Sequence, residues 1–193
     1  MSPLRLNGST SGYTELTAPA TAGSNTLTLP TGNGTNGQYL QTNGSGALSW
    51  ATPSGGGKVL QVVNATYSTA ATSSSSTYAD TGLSASITPT STSNKILVLV
   101  NQAGCGKFST NTYLFLKLLR GSTDLIQFEL DAGYSGDTSG NLIGACSTCY
   151  LDSPSTTSSV TYKTQFASAG NTGSVRVNGS SSVSTITLLE IAP

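Results

Sequence analysis

The chain has 193 residues, of which only 8% are charged, and its eight basic and eight acidic side chains give a net charge of zero. This length fits one domain of ordinary size with an extension. Because a neutral chain offers no basic surface, electrostatic binding of a nucleic acid is not expected. The sequence has no histidine, which removes the most frequent general base and a common metal ligand. No run of about 20 apolar residues is present, so membrane insertion is not expected either.

Short apolar blocks rich in Val, Ile, Leu and Tyr recur along the chain, separated by Gly, Ser and Pro. This pattern favours β-strands over helices and predicts an all-β protein. Three cysteines, Cys105, Cys146 and Cys149, cannot all pair within one chain. They fit reduced thiols in a protein made in a cytosol, and the N-terminus lacks the basic and apolar order of a signal peptide.

Residues 1–53 are rich in glycine and asparagine and carry two charges, Arg5 and Glu15. The alternation of Leu27 and Leu29 with threonine predicts a strand with one covered face. Further on, residues 38–42 and 47–51 flank a turn signal that begins at Asn43, which predicts a small hairpin. A lone hairpin is marginal in water, so its apolar side chains need cover from a partner.

We therefore predict an extended arm over residues 1–53 that becomes ordered on assembly and docks on another protein. Its candidate docking and oligomer contacts are the apolar side chains Leu4, Leu6, Leu16, Leu27, Leu29, Tyr39, Leu40, Leu48 and Trp50.

A glycine linker is predicted at residues 54–57, followed by a second domain at 58–193. The first strand of this domain runs from residue 58 to about 67, and a polar loop follows at 68–77. Strand-like runs then occur at 78–87, 96–103, 112–120, 124–130, 142–151, 160–167, 174–178 and 183–191. Eight or nine strands separated by turn clusters predict an antiparallel β-sandwich, with a jelly roll as the leading topology.

Two of the predicted strands are apolar on both faces. Ile96, Val98 and Val100 alternate with Leu97 and Leu99, and a leucine face in 112–120 opposes Tyr113 and Phe115. An antiparallel sheet with one wet face would alternate apolar and polar residues. The candidate subunit-interface residues are therefore Leu97, Leu99, Tyr113 and Phe115. The alternative is a central strand covered by loops of its own chain.

The acidic residues that could serve as a catalytic pair are scattered over a strand end and loops: Glu129, Asp131, Asp137 and Asp152. Hydrolysis of a glycan would require two of them to face each other across a cleft. Solvated turn and edge positions are the simpler interpretation, so no enzymatic activity and no catalytic residue are predicted.

Cys146 and Cys149 have the spacing of half a zinc site, but two of four ligands are missing and the neighbours resemble a strand. In a strand these cysteines would point to opposite faces, and two packed small residues are the simpler interpretation. The loop at 131–141 has the composition of a calcium loop without its regular acidic spacing. We favour a contact role for this loop, in which Tyr134 and Asp137 touch a sugar or a protein. No metal or cofactor is predicted.

Several segments carry a resemblance to a known group of proteins. Residues 37–50 read GQYLQTNGSGALSW, and upstream pieces read LRLNGST at 4–10, LTAPA at 16–20 and TLTLP at 26–30. Together they resemble segments that recur in tail-fibre and other virion proteins of tailed bacteriophages. Residues 184–191, STITLLEI, resemble the terminal strand of the β-domains that close such chains.

The resemblance implies a non-enzymatic structural protein of a phage particle, as a trimeric tail fibre or receptor-binding appendage. It would dock by its N-terminal arm and display the C-terminal β-domain. The implied partners are further copies in a homotrimer, other virion proteins of the tail or capsid, and a glycan or protein of the host surface. The implied location is the virion, assembled in the bacterial cytoplasm and extracellular after release.

Three alternatives remain open at this point. A trimeric capsid decoration (cement) protein would clamp capsid subunits with the same arm, and a short chain that begins at Met1 with one fibre-like segment favours it. A free carbohydrate-binding lectin would bind through residues 58–193 without the arm. A glycan-cleaving enzyme would lose turnover on removal of Glu129 or Asp131.

Overall fold

The computed structural model describes residues 4–17, 19–21, 23–53, 57–134, 140–169 and 173–193. Contacts divide the chain into two compact units, Met1–Gly55 and Gly56–Pro193. The described residues contain no α-helix, and so no helix that is long and apolar enough to cross a membrane.

Where the structure describes it, the first unit forms two antiparallel hairpins. Their strands are β1 (Leu4–Asn7) with β2 (Tyr13–Leu16), and β3 (Tyr39–Thr42) with β4 (Leu48–Ala51). In the second hairpin the Asn43 side chain accepts a hydrogen bond from the Ser45 amide at 2.8 Å, and Gly44 has a φ of 81°. Only a residue that tolerates positive φ closes such a turn easily. The predicted hairpin is therefore confirmed.

The strand expected around Leu27 and Leu29 is wrong. Thr28 makes one isolated parallel bridge to Ala47, and both leucines are exposed, at 67% and 69%. The bridge attaches this segment to the start of β4 without forming a ladder, so its alternating pattern has no covered face within the chain.

The described residues of the second unit form ten strands, and a 3-10 turn lies at Gly179–Ser181. The strands are β5 (Val59–Tyr67), β6 (Ala71–Ser73), β7 (Ala79–Ile87), β8 (Lys95–Lys107), β9 (Leu114–Arg120), β10 (Thr123–Ala132), β11 (Asn141–Asp152), β12 (Val160–Ser168), β13 (Val175–Val177) and β14 (Ser184–Ile191).

These strands form two antiparallel sheets. The first sheet has the order β5-β14-β8-β11, and the short strands β13 and β6 extend it from the far end of β8. The second sheet has the order β7-β12-β9-β10. Along the chain, the eight long strands pass back and forth between the sheets: β5, β8, β11 and β14 belong to the first sheet, and β7, β9, β10 and β12 belong to the second. This is the topology of a jelly roll, so the predicted fold class is confirmed.

Two differences from the expected strands concern the first sheet. The predicted loop at 68–77 contains β6, which pairs with β13, and β8 continues past residue 103 to Lys107. Gly104 has a φ of 61°, and a side chain there would overlap the backbone of Gly179. The glycines at 104 and 106 therefore allow other backbone segments to approach the middle of a strand. In the sequence alone, the same glycines resemble the end of a strand.

The core between the sheets consists of two apolar clusters. The first cluster includes Leu83, Ile96, Val98, Leu118, Tyr162, Ile186 and Leu188, and the second includes Cys105, Leu114, Leu116, Phe166, Val175 and Val177.

A buried polar network lies between the two clusters. The Gln102 amide donates to Asn178 at 2.8 Å and to Ser184 at 2.9 Å. Its oxygen accepts a hydrogen bond from Thr164 of the other sheet at 2.9 Å. Because the buried side chains of Gln102, Thr164 and Ser184 all have partners in it, the network joins the sheets without the large penalty of an unsatisfied group.

Candidate functional site

The apolar side chains of the first unit are mostly uncovered. Seven of the nine candidate docking residues are exposed, by 45% to 69%: Leu4, Leu6, Leu16, Leu27, Leu29, Tyr39 and Leu40. The other two, Leu48 and Trp50, are partly buried. The Trp50 indole donates to the Gly32 carbonyl at 2.6 Å, and a side chain at Gly34 would collide with its ring. Trp50 therefore packs within its own unit, whereas the described residues leave these seven side chains largely uncovered.

The β1-β2 hairpin has two unlike faces. Leu4 lies opposite Leu16 and Leu6 lies next to this pair, which makes one face apolar. On the other face Arg5 pairs with Glu15 at 2.7 Å and stacks over the Tyr13 ring at 4.4 Å. A two-stranded ribbon with one bare apolar face requires a second surface. We call the side chains of Leu4, Leu6 and Leu16 the hairpin face.

The outer face of the first sheet carries an apolar band, which we call the leucine row. Val62, Leu189, Leu97 and Leu151 occupy one register line across β5, β14, β8 and β11. Val62 is 59% exposed and Leu151 is 51% exposed. Leu99, at 40% exposure, follows on the next line. A contiguous exposed apolar band is a candidate contact surface.

A row of aromatic rings lies on the outer face of the second sheet. Tyr134 meets Tyr113 edge to face at 5.5 Å between centroids, and Tyr113 meets Phe115 at 5.4 Å. Phe115 in turn stacks with Tyr78 at 6.4 Å. We call these four rings the aromatic row. The four candidate interface residues therefore lie on two different surfaces, with Leu97 and Leu99 on one sheet and Tyr113 and Phe115 on the other.

An open depression of about 620 Å³ borders the end of the aromatic row. The described residues that line it are Asn111, Tyr113, Asp131 and Tyr134. Of these, Asn111 is the residue that the sequence patterns do not single out. Asn111 lies in a turn of polar residues directly before a strong strand. Such turns are too common for this pattern to indicate a binding residue. Asp137, the other candidate contact of this loop, lies outside the described residues.

The candidate carboxylates do not share one environment. Asp152 is buried, and it accepts hydrogen bonds from Arg120 at 2.7 Å and from the Tyr162 hydroxyl at 2.6 Å. Burial and the Asp152 carboxylate raise the pKa of Tyr162 above its ordinary value. The expectation that Asp152 is a solvated turn residue is therefore wrong. Asp131 is exposed and Glu129 is partly buried on β10.

The cysteines differ in burial. Cys105 and Cys146 are buried in the second apolar cluster, whereas Cys149 is exposed. Cys146 and Cys149 thus point to opposite faces, as expected, but the expectation that both are packed is wrong for Cys149. The neighbouring Cys146 side chain and burial raise the pKa of Cys105, whose thiol donates to the Gln102 carbonyl at 3.2 Å. Cys105 lies within β8 rather than at a strand end.

No protein-family model matches the chain, and no curated protein sequence matches it. Two solved structures are similar in part. A crystal structure of the infectious bursal disease virus VP2 subviral particle has 11% identity and a TM-score of 0.39, over 75% of this chain and 41% of that one. A structure of the infectious bursal disease virus Gx strain has 16% identity and a TM-score of 0.32, over 93% and 44%. The chain spans less than half the length of either protein.

Proposed function

We propose that this chain is a non-enzymatic structural protein of a bacteriophage particle, of the tail-fibre or receptor-binding type. The first unit docks on another virion protein, and the jelly roll is displayed outward. The observation that carries this proposal is the set of seven exposed apolar side chains in the first unit. The resemblance of several segments of the first unit to tail-fibre proteins supports the assignment to a phage particle.

The docking step is a burial of apolar surface. Burying one leucine against a partner contributes on the order of 1.5 to 3 kcal/mol. The hairpin face alone supplies three leucines, exposed by 58% to 64%. Since Arg5 and Glu15 already neutralise each other on the opposite face, little charge has to be desolvated when the hairpin face is covered.

The protein acts as a homotrimer in this proposal, with the leucine row as its subunit contact. The row is continuous across four strands, so it presents one unbroken apolar band to a neighbour. Association of three copies would bring three arms to one particle, and the effective concentration of the second and third arms strengthens attachment.

A capsid decoration role is the second candidate. It uses the same arm to clamp neighbouring capsid subunits, and the same exposed apolar side chains support it. The two roles differ in the part of the particle that the first unit contacts.

Electron microscopy of intact particles labelled with antibody against residues 58–193 tests the proposal. Label confined to the tail is expected for the appendage. Label spread over the head would replace it with the decoration role, and purified particles without label would contradict both. Antibody raised against an unrelated cytosolic protein of the host is the control for adsorbed material.

A further inference from the structure

We propose that the depression beside the aromatic row binds a neutral pyranose sugar, stacked on Tyr134 and Tyr113 and hydrogen-bonded by Asn111 and Asp131. The inference deepens the proposed function, on which it rests for its biological meaning, because it names the chemical class of the outward partner. Its chemical content concerns the second unit alone.

The aromatic part of the site comes from neighbouring strands and a turn. Tyr113 precedes β9 and Tyr134 follows β10, and their rings meet at an interplanar angle of 79°. Tyr134 is 57% exposed, so one part of its ring is open to a ligand. The apolar C–H face of a pyranose packs on such a ring, while the hydroxyl at the ring edge stays available for hydrogen bonds.

The polar part of the site suits sugar hydroxyl groups. The Asn111 amide offers both donors and an acceptor, and the Asp131 carboxylate offers acceptors only. Neighbouring hydroxyls on a pyranose ring each donate and accept, so one hydroxyl can satisfy either side chain. A volume of about 620 Å³ lies within the range usual for small-ligand pockets.

The charges around the depression favour a neutral sugar over an acidic one. The described lining residues include a carboxylate and no lysine or arginine. Lys117 belongs to the other end of the aromatic row, where it pairs with Asp124 at 3.0 Å and lies 4.2 Å from the Tyr78 ring centroid. An anionic sugar would therefore meet Asp131 without a compensating cation.

The site is held in place before any ligand arrives. The Tyr134 amide donates to the Asp131 carbonyl at 3.2 Å across a turn in which Gly133 has a φ of 77°. The Asn141 side chain donates to the Gly133 carbonyl at 3.1 Å, and the Tyr113 carbonyl accepts a hydrogen bond from Ala169 at 3.0 Å. A ligand then need not order the backbone that carries Tyr134 and Tyr113 at the cost of its own binding energy.

Saturation-transfer NMR on the full chain tests the inference, with glucose, galactose, mannose and N-acetylglucosamine as separate probes. Transfer to the ring protons of at least one of these sugars is expected. Tyr134→Ala should weaken its binding about tenfold by removing the stacking surface. Asp131→Asn, an exposed change that does not threaten folding, should weaken it about threefold or more.

Tyr13→Ala is the matched control, since Tyr13 is 58% exposed on the other unit, and it should bind like the native chain. Failure of all four sugars to bind would overturn the inference, and so would unchanged binding by folded Tyr134→Ala. Preferred binding of glucuronic acid would overturn the neutral class. Because the purified chain is used, these outcomes are independent of the particle labelling, which tests where the protein lies on the particle.

Discussion

Tyr162 and Asp152 join the two sheets of the jelly roll, because the Tyr162 hydroxyl on β12 donates to the carboxylate at the end of β11 at 2.6 Å. Arg120, directly opposite Tyr162 on β9, donates to the same oxygen at 2.7 Å. Tyr162→Phe removes one of these donors from a buried acceptor, so the free energy of unfolding should fall by roughly 2 kcal/mol. Urea denaturation measures this loss.

Tyr134→Phe is the control for that change, since it removes a hydroxyl from an exposed ring of the same unit. It should alter the free energy of unfolding by less than about 0.5 kcal/mol. Equal losses in the two variants would show that the Tyr162 bond to Asp152 does not stabilise the fold.

Glu190 should make the protein less stable in acid. Burial raises the pKa of its carboxyl, but hydrogen bonds from Asn94, Gln61 and Thr90 outweigh this effect and hold the pKa at about 2. The charged form is therefore favoured in the folded protein, and its contribution is complete above the ordinary carboxyl pKa near 4.5. That contribution should be lost as the pH falls from about 4.5 through about 2.

The measurement is the urea unfolding midpoint of the native chain and of Glu190→Gln at several pH values. At pH 7 the variant should lose roughly 2 kcal/mol, because an amide cannot accept all of these hydrogen bonds. The difference between the two proteins should shrink toward pH 2. A difference that stays constant over this range would contradict the account.

Gly82 should resist substitution although it lies within β7. Its φ is 90°, and a side chain there would overlap the Tyr67 ring. Gly82→Ala therefore combines backbone strain with a collision and should cost about 3 kcal/mol. Gly121 also has a positive φ, of 59°, but has open space around it. Gly121→Ala should therefore lower the free energy of unfolding by only about 1 kcal/mol. Thermal unfolding of both variants measures these losses of stability. Equal losses would show that the collision with the Tyr67 ring adds nothing to the effect of Gly82→Ala.

The leucine row should control the oligomeric state. We expect the native chain to sediment with three times its 19.5 kDa mass. Leu97→Gln combined with Leu151→Gln should give monomers, since each buried leucine contributes at least about 1.5 kcal/mol to association. Leu130→Gln, at a position 53% exposed on β10, should leave the trimer intact. A double variant that remains trimeric would remove the leucine row from the subunit contact.

Much of the fold follows from local sequence patterns. The Asn43-Gly44 turn and the alternation in β5, β7 and β14 specify strands whose partners are close by or whose inner faces are apolar. Leu27 and Leu29 show the same alternation without forming a strand, because a strand also needs a partner with free backbone groups, and one bridge to Ala47 is all that is found there.

The surfaces depend on long-range register, which local patterns do not contain. Leu97 and Leu99 could be recognised as an outward apolar face, but Val62 and Leu151 join them through pairing of β5, β14, β8 and β11. In the same way Tyr113 and Tyr134 meet only because β9 and β10 pair with several bulges.

Co-sedimentation tests whether the first unit docks on the particle through its hairpin face. Phage particles that lack this protein are mixed with the native chain or with the variant Leu4→Ser, Leu6→Ser and Leu16→Ser. The native chain should sediment with the particles, and the variant should stay in solution because its hairpin face is no longer apolar. Leu142→Ser, at a position 73% exposed on the jelly roll, should bind like the native chain. Equal sedimentation of the triple variant and the native chain would contradict docking through the hairpin face.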